Sequence, residues 1–374
     1  MKSSMDKYFL ELTDKLAFLQ IEENTLKGFG KVPSDFSIPI FVEDIKGQAT
    51  GTDGFSTEQI ASAILYLLGI DGNFRFNKEY REFLKNAVDR PESFASDLAM
   101  KKYELKSYKD AMVYFRAAMW LKEDELYPFF NYGQIALEFS LNTNDKELEK
   151  DLVQEAAHAF EQVLDLDEKE PLANFQLGLI LREKGELQKA LSYLKKATDY
   201  GDSEVKEKAQ LLVHDIEMYE SLANAEEKIA QGQYEAALAE LDGKKTDGLI
   251  LELRYQILFA KGFCYKALGN FEEAIKIYSD ALAIHNQDTL LLAELGVCYA
   301  YLGEYEQSLE FYLAALEIEK DSVGLLNNIA ILYLNLNDIA KAKEYIGYAK
   351  ELASDDEIVD ATILRIRQAE EGEK

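Results

Sequence analysis

A chain of 374 residues with 69 acidic against 41 basic side chains carries a formal charge of −28, and its densest basic runs are pairs such as Lys101-Lys102 and Lys195-Lys196. Phosphate backbones and anionic bilayers both call for a basic stripe, so nucleic acid and anionic membrane surfaces are poor candidates as partners. A hydrophobic content of 48% excludes wholesale disorder, while the most apolar stretch, Ile60 to Ile70, is too short to span a bilayer.

Charges interrupt every apolar stretch of the opening MKSSMDKYFLELTDKLAFLQ, which leaves no signal-peptide core. Two cysteines make no disulfide framework, and a reduced cytoplasmic setting is expected. Residues 1–91 do not repeat and are expected to be mostly helical. A helix is predicted from Met5 to Leu19, followed by a Pro/Gly-containing stretch from Gly28 to Gly54 with a short strand in SIPIFVEDI. Ser56 is an N-cap candidate for a helix running to Leu68, and Asn77 to Ala87 forms another. The Asp71-Gly72-Asn73 turn between them suggests a helix-turn-helix reader of DNA, but the acidic balance of the chain and the lack of an Arg/Lys-rich second helix argue against it. The region is therefore expected to cap the rest of the chain or dock onto it.

From residue 92 onward the sequence repeats. Gly262, Gly296 and Ala330 are 34 apart, as are Tyr265, Tyr299 and Tyr333, and Ala281, Ala315 and Ala349. A fixed period with small residues at these points predicts helix–turn–helix units, none able to bury its apolar face alone. Seven units are expected: 92–125, 126–170, 171–204, 205–251, 255–288, 289–322 and 323–356. The spacing from Ala190 to Ala237 is 47 rather than 34, and the extra sequence reads as one long helix from Ser203 to Gln231. Residues 357–374 are expected to supply a polar-faced capping helix, Glu357 to Ala369, and a tail.

In the unit from Thr289, the residues Leu292, Leu295, Gly296, Tyr299, Gly303, Tyr305, Tyr312 and Ala315 stand where the tetratricopeptide repeat has its signature, and the chain resembles that family. None of the units carries the family's late proline; Glu168, Asn286, Lys320 and Ser354 stand there instead. The resemblance implies an all-α, right-handed superhelical solenoid whose first helices line a concave groove for a protein or peptide. Carried onto this sequence, it implies groove residues Asn131 in the second unit and Phe175, Gln176, Leu179 and Arg182 in the third. Phe259, Phe263 and Lys266 follow, then Glu294 and Val297, then Asn327, Asn328 and Ile331. Asn and Gln there can bond both groups of an extended backbone, and Phe259 and Phe263, one turn apart, would floor the groove. The Lys/Arg set used by relatives that grip acidic tails is not assembled, so an apolar or mixed ligand is implied.

Chemistry has little support in the sequence. His158, His214 and His285 fall on different units without metal-ligand spacing, and no phosphate cradle or nucleophile elbow occurs. Cys264 and Cys298, also 34 apart, are expected to be buried thiols. The expected function is an adaptor, scaffold or holdase-like binder without catalysis, cofactor or metal. The alternative is a peptide-responsive regulator whose N-terminal region acts on DNA or an effector protein. Basic partners would suit the surface charge, and self-association stays open.

Overall fold

The computed structural model describes residues 3–20, 33–48, 54–244, 246 and 248–372. Parts of the expected Gly28–Gly54 stretch and the last two residues lie outside them. The chain divides into two compact units, Met1–Gln210 and Leu211–Lys374.

The first unit opens with α1 (Asp6–Leu10) and a 3-10 turn, Glu11–Lys15. The helix expected through Leu19 ends there, because Leu16–Gln20 becomes strand β1 and pairs antiparallel with β2 (Ser37–Phe41). Leu16 lies opposite Phe41 and Phe18 opposite Pro39. The apolar strand SIPIF, with Ile38 and Ile40 buried, offers a partner whose pairing outweighs helix propensity in LAFLQ. The short strand read in the sequence is present, and it brings a two-stranded sheet to an otherwise helical chain.

Helices α2 (Val42–Gln48), α3 (Thr57–Ile70) and α4 (Asn77–Ala87) complete the N-terminal region. Ser56 and Gln59 cap α3 reciprocally, at 3.2 and 2.9 Å. Residues Ile60 to Ile70 are almost entirely buried except at Ser62, because α3 lies between β2 and α6. At Gly69 the carbonyl of Val113 occupies the space a Cβ would need, so α3 approaches α6 with no side chain between.

Three helical hairpins follow: α5 (Pro91–Glu104) with α6 (Tyr108–Leu121), α7 (Leu126–Leu141) with α8 (Lys146–Leu166), and α9 (Pro171–Glu183) with α10 (Leu187–Tyr200). Pro91 and Pro171 sit at the first turn, where a missing N–H costs nothing. Asp145 caps α8 by accepting from the amides of Glu147 and Leu148 at 3.0 and 3.1 Å. Helix α11 (Ser203–Ala230), read from the sequence as one long helix, contains the division between the units.

The second unit continues with α12 (Tyr234–Leu241) and the hairpins α13 (Leu251–Ala267) with α14 (Phe271–Leu282), α15 (Thr289–Tyr301) with α16 (Tyr305–Ile318), and α17 (Val323–Asn335) with α18 (Ile339–Leu352). The last helix, α19 (Glu357–Gly372), buries Val359 and Ile366 against α18 and α17. Every hairpin turn that carries a glycine needs the left-handed conformation there, with φ of 79° at Gly269 and 78° at Gly303; Asn337 takes the same conformation at φ 61°.

Candidate functional site

In the first unit, the first helices of the hairpins form one face. A cleft of about 410 Å³ opens on it, lined among others by Met100 and Tyr103 of α5, Asn131, Gln134 and Ile135 of α7, and Gln176 of α9. Gln176 Nε2 donates to Gln134 Oε1 at 3.2 Å, and Asn131 Nδ2 donates to the Tyr127 carbonyl at 2.8 Å. That second bond uses one of the two Asn131 N–H groups.

A fixed negative charge stands at the edge of this cleft. Glu138 accepts from the Tyr103 hydroxyl, from Lys106 Nζ at 2.9 Å and from the Tyr108 hydroxyl at 2.9 Å. The Tyr103 hydroxyl first, then Lys106, hold its carboxyl below the usual carboxylate range against a small opposing effect of burial. Met100, Tyr103, Gln134, Ile135, Glu138 and Leu141 were not read as site residues from the sequence. A signal was there: in LYPFFNYGQIALEFSL the polar residues Asn131, Gln134 and Glu138 recur on one helical face of an otherwise apolar segment.

The structure brings Asn131 and Gln176 together in this cleft, and leaves Phe175, Leu179 and Arg182 half-buried along α9 outside it. In the second unit Phe259 and Phe263 turn to different partners. Phe259 lies 6.1 Å from the Tyr255 ring and 5.9 Å from that of Tyr278, whereas Phe263 meets Tyr234 edge-on at 6.1 Å. Lys266 pairs with Glu294 across α13 and α15 and sits 5.0 Å over the Phe263 ring, so these two charges compensate each other. Val297 and Ile331 are half-buried. Asn327 lies in the core at 5% exposure with Oδ1 unpartnered, while Asn328 donates to the Tyr312 hydroxyl at 3.3 Å.

Both cysteines are free and buried, and burial pushes each thiol up to about 11. No group of three or more His, Cys, Asp or Glu side chains among the described residues is arranged to hold a metal ion. No helix among them is long and apolar enough to cross a membrane.

Tetratricopeptide repeat family models match residues 147–204, 265–322 and 323–356. A TPR repeat-containing protein of Methanocaldococcus jannaschii is 27% identical over 141 residues, which are 37% of this chain; the match spans only 24% of that relative's length. Among solved structures, the TPR domain of P58(IPK) is 14% identical with a TM-score of 0.32, over 76% of this chain and 99% of that one. The type III secretion chaperone SycD of Yersinia enterocolitica, solved with a peptide of the translocator YopD, is 19% identical with a TM-score of 0.28, over 31% and 88%.

Proposed function

We propose that this chain, a tetratricopeptide-repeat protein by its sequence matches, is a protein-interaction module that grips an extended segment of a partner on its first-helix face without catalysis. The observation that carries the reading is the cleft of the first unit, where three side-chain amides, Asn131, Gln134 and Gln176, stand beside the apolar Met100 and Ile135. Primary amides match the alternating N–H and C=O groups of an extended backbone, and an apolar side chain of the ligand would lie on Met100 and Ile135. An adaptor, scaffold or holdase-like role for an apolar or mixed segment follows. The two free thiols suit a reducing cytoplasm.

The test is a displayed random-peptide library selected on the full chain, with calorimetry of the enriched peptides. Losing two amide contacts at about 1 kcal/mol each should weaken binding roughly tenfold or more in Asn131→Ala/Gln176→Ala, with an unchanged circular dichroism spectrum. Peptides that bind this variant as tightly as wild type would overturn the assignment.

A further inference from the structure

A cleft of the second unit lies on the opposite helices of its hairpins. About 640 Å³ opens between α16 and α18. Leu313 and Leu316 form one wall and Tyr345, Tyr348 and Leu352 the other, over a floor supplied by Leu326 of α17, itself 4% exposed. Tyr348 and Leu352 stand 47% and 49% exposed, costly for large apolar groups that nothing covers.

At two of its positions this lining is not a requirement of the repeat, although Leu282, Phe311 and Ile318 stand one period before Leu316, Tyr345 and Leu352. One period of 34 earlier, Ser279 stands where Leu313 does and Ala314 where Tyr348 does. The α14/α16 layer is thus built with small or polar residues at the two positions that are large and apolar here. The rim carries Glu317, Asp321 and Glu351 with Lys320. None of these four makes an ion pair among the described residues, although carboxylates elsewhere on the unit do, as Asp360 with Lys350 and Glu370 with Lys343. Three uncompensated carboxylates around an apolar floor call for cations.

We propose that the α16/α18 cleft docks a short basic amphipathic segment of a partner protein, its apolar side chains seated on Leu326 and its Lys or Arg side chains met by Glu317, Asp321 and Glu351. Tyr345, Tyr348 and Leu352, at i, i+3 and i+7, stand on one face of α18 and give the cleft a continuous apolar wall. A second copy of this chain is a poor occupant, because each copy carries −28 and the two repel. This docking surface is separate from the first-helix cleft.

The experiment uses the full chain and a fluorescein-labelled amphipathic helical peptide of Leu and Lys, with its Leu/Glu counterpart, read by fluorescence anisotropy at physiological salt. The Leu/Lys peptide is expected to bind and the Leu/Glu peptide not. Leu313→Ser/Tyr348→Ala, which leaves net charge unchanged and reinstates the residues of the preceding layer, is expected to lower affinity at least tenfold without lowering the melting temperature. Glu317→Gln/Glu351→Gln is expected to weaken binding and flatten its salt dependence. A photo-crosslinker at a Leu of the peptide should label α16 or α18, and Asn131→Ala/Gln176→Ala should bind as wild type does. Equal affinity in the Leu313→Ser/Tyr348→Ala variant would reduce the binding to diffuse attraction and overturn the proposal. So would labelling elsewhere, or a wild-type dimer in sedimentation that the same variant abolishes.

Discussion

Gly296→Ala tests whether the hairpins pack as tightly as described. Gly296 lies on α15 under the ring of Tyr312 on α16, and a Cβ built there would stand 2.8 Å from two ring carbons. Ordinary carbon contacts are about 3.5–4.0 Å, so ring and helix must separate by roughly 0.7 Å or more. Neither gives easily. Tyr312 is 3% exposed, and the Ser308 hydroxyl of α16 donates to the Gly296 carbonyl at 2.7 Å, tying the helices together at that point. Overpacking of this kind costs about 1–3 kcal/mol, and the better helix propensity of alanine returns about 1 kcal/mol. A contact below 3.0 Å that neither side relieves falls in the upper part of that range, about 2–3 kcal/mol, so a net loss near 1–2 kcal/mol remains. Gly347 on α18 is the control, since nothing lies within 4 Å of its added Cβ and only the propensity gain applies. A repeat stack need not unfold in one step, so the assay is native-state hydrogen exchange of the full chain, resolved by helix. Exchange of α15 and α16 amides should quicken about 5–30-fold in Gly296→Ala, and that of α18 should slow in Gly347→Ala. Unchanged or greater protection of α15–α16 in Gly296→Ala would refute the close approach.

Asp110, 6% exposed, is pushed up by burial, but hydrogen bonds from Lys15, Tyr66 and Ser107 outweigh burial and leave it below the ordinary carboxylate value. A depressed carboxyl contributes stability above its unfolded pKa, near about 4, and that contribution is lost as pH falls through the folded value. The single tryptophan, Trp120, packs on Gly72 near the far end of α6 and reports unfolding of that helix. Its fluorescence should change as pH falls below about 4, and Asp110→Asn should flatten that change. Identical acid profiles for the two proteins would count against the network. Cys264 and Cys298, both pushed up to about 11 by burial, should resist a thiol reagent in the native protein at neutral pH and react in full in denaturant. Rapid native labelling would show that α13 and α15 open far more readily than packed helices should.

The repeat was legible because it is written in volumes. Gly262, Gly296 and their partners Tyr278 and Tyr312 are set by local spacing, and each pair meets across its hairpin as the period requires. Helix α11 was legible from an uninterrupted run of helix formers. Strand β1 was not, because LAFLQ has no β-specific pattern and becomes extended only when SIPIF pairs with it from some twenty residues away. The site was half legible. Which residues sit on first helices follows from register, but which of them face a ligand depends on pairings the register does not encode. Lys266 finds Glu294 on the next hairpin, and Asn327 turns inward where its neighbour Asn328 does not.

The N-terminal region is held mainly on the second helices of the first unit. Helix α3 packs on α6 and only touches α5. Arg116 of α6, 3% exposed, meets Asp6 of α1 at 2.7 Å and lies 5.0 Å over the Phe9 ring, while Lys7 reaches Glu147 and Asp151 of α8 at 2.6 and 3.1 Å. The Arg116 side chain is 4% exposed but that of Asp6 is 35% exposed. Losing Asp6 would strand a buried guanidinium, at a cost that solvent screening holds below the value for a fully buried pair. The surface pairs of Lys7 are worth far less, so Arg116 is the anchor and α1 cannot lift from α6 without exposing it unpaired. Lys15 and Asp110 repeat the arrangement where the turn before β1 meets the start of α6, at 2.6 Å. The α5, α7 and α9 face is therefore open because the charges that fix the N-terminal region are placed on α6 and α8. Among the described residues no N-terminal side chain lines the cleft of Asn131, Gln134 and Gln176, so a ligand there has none of those residues to displace.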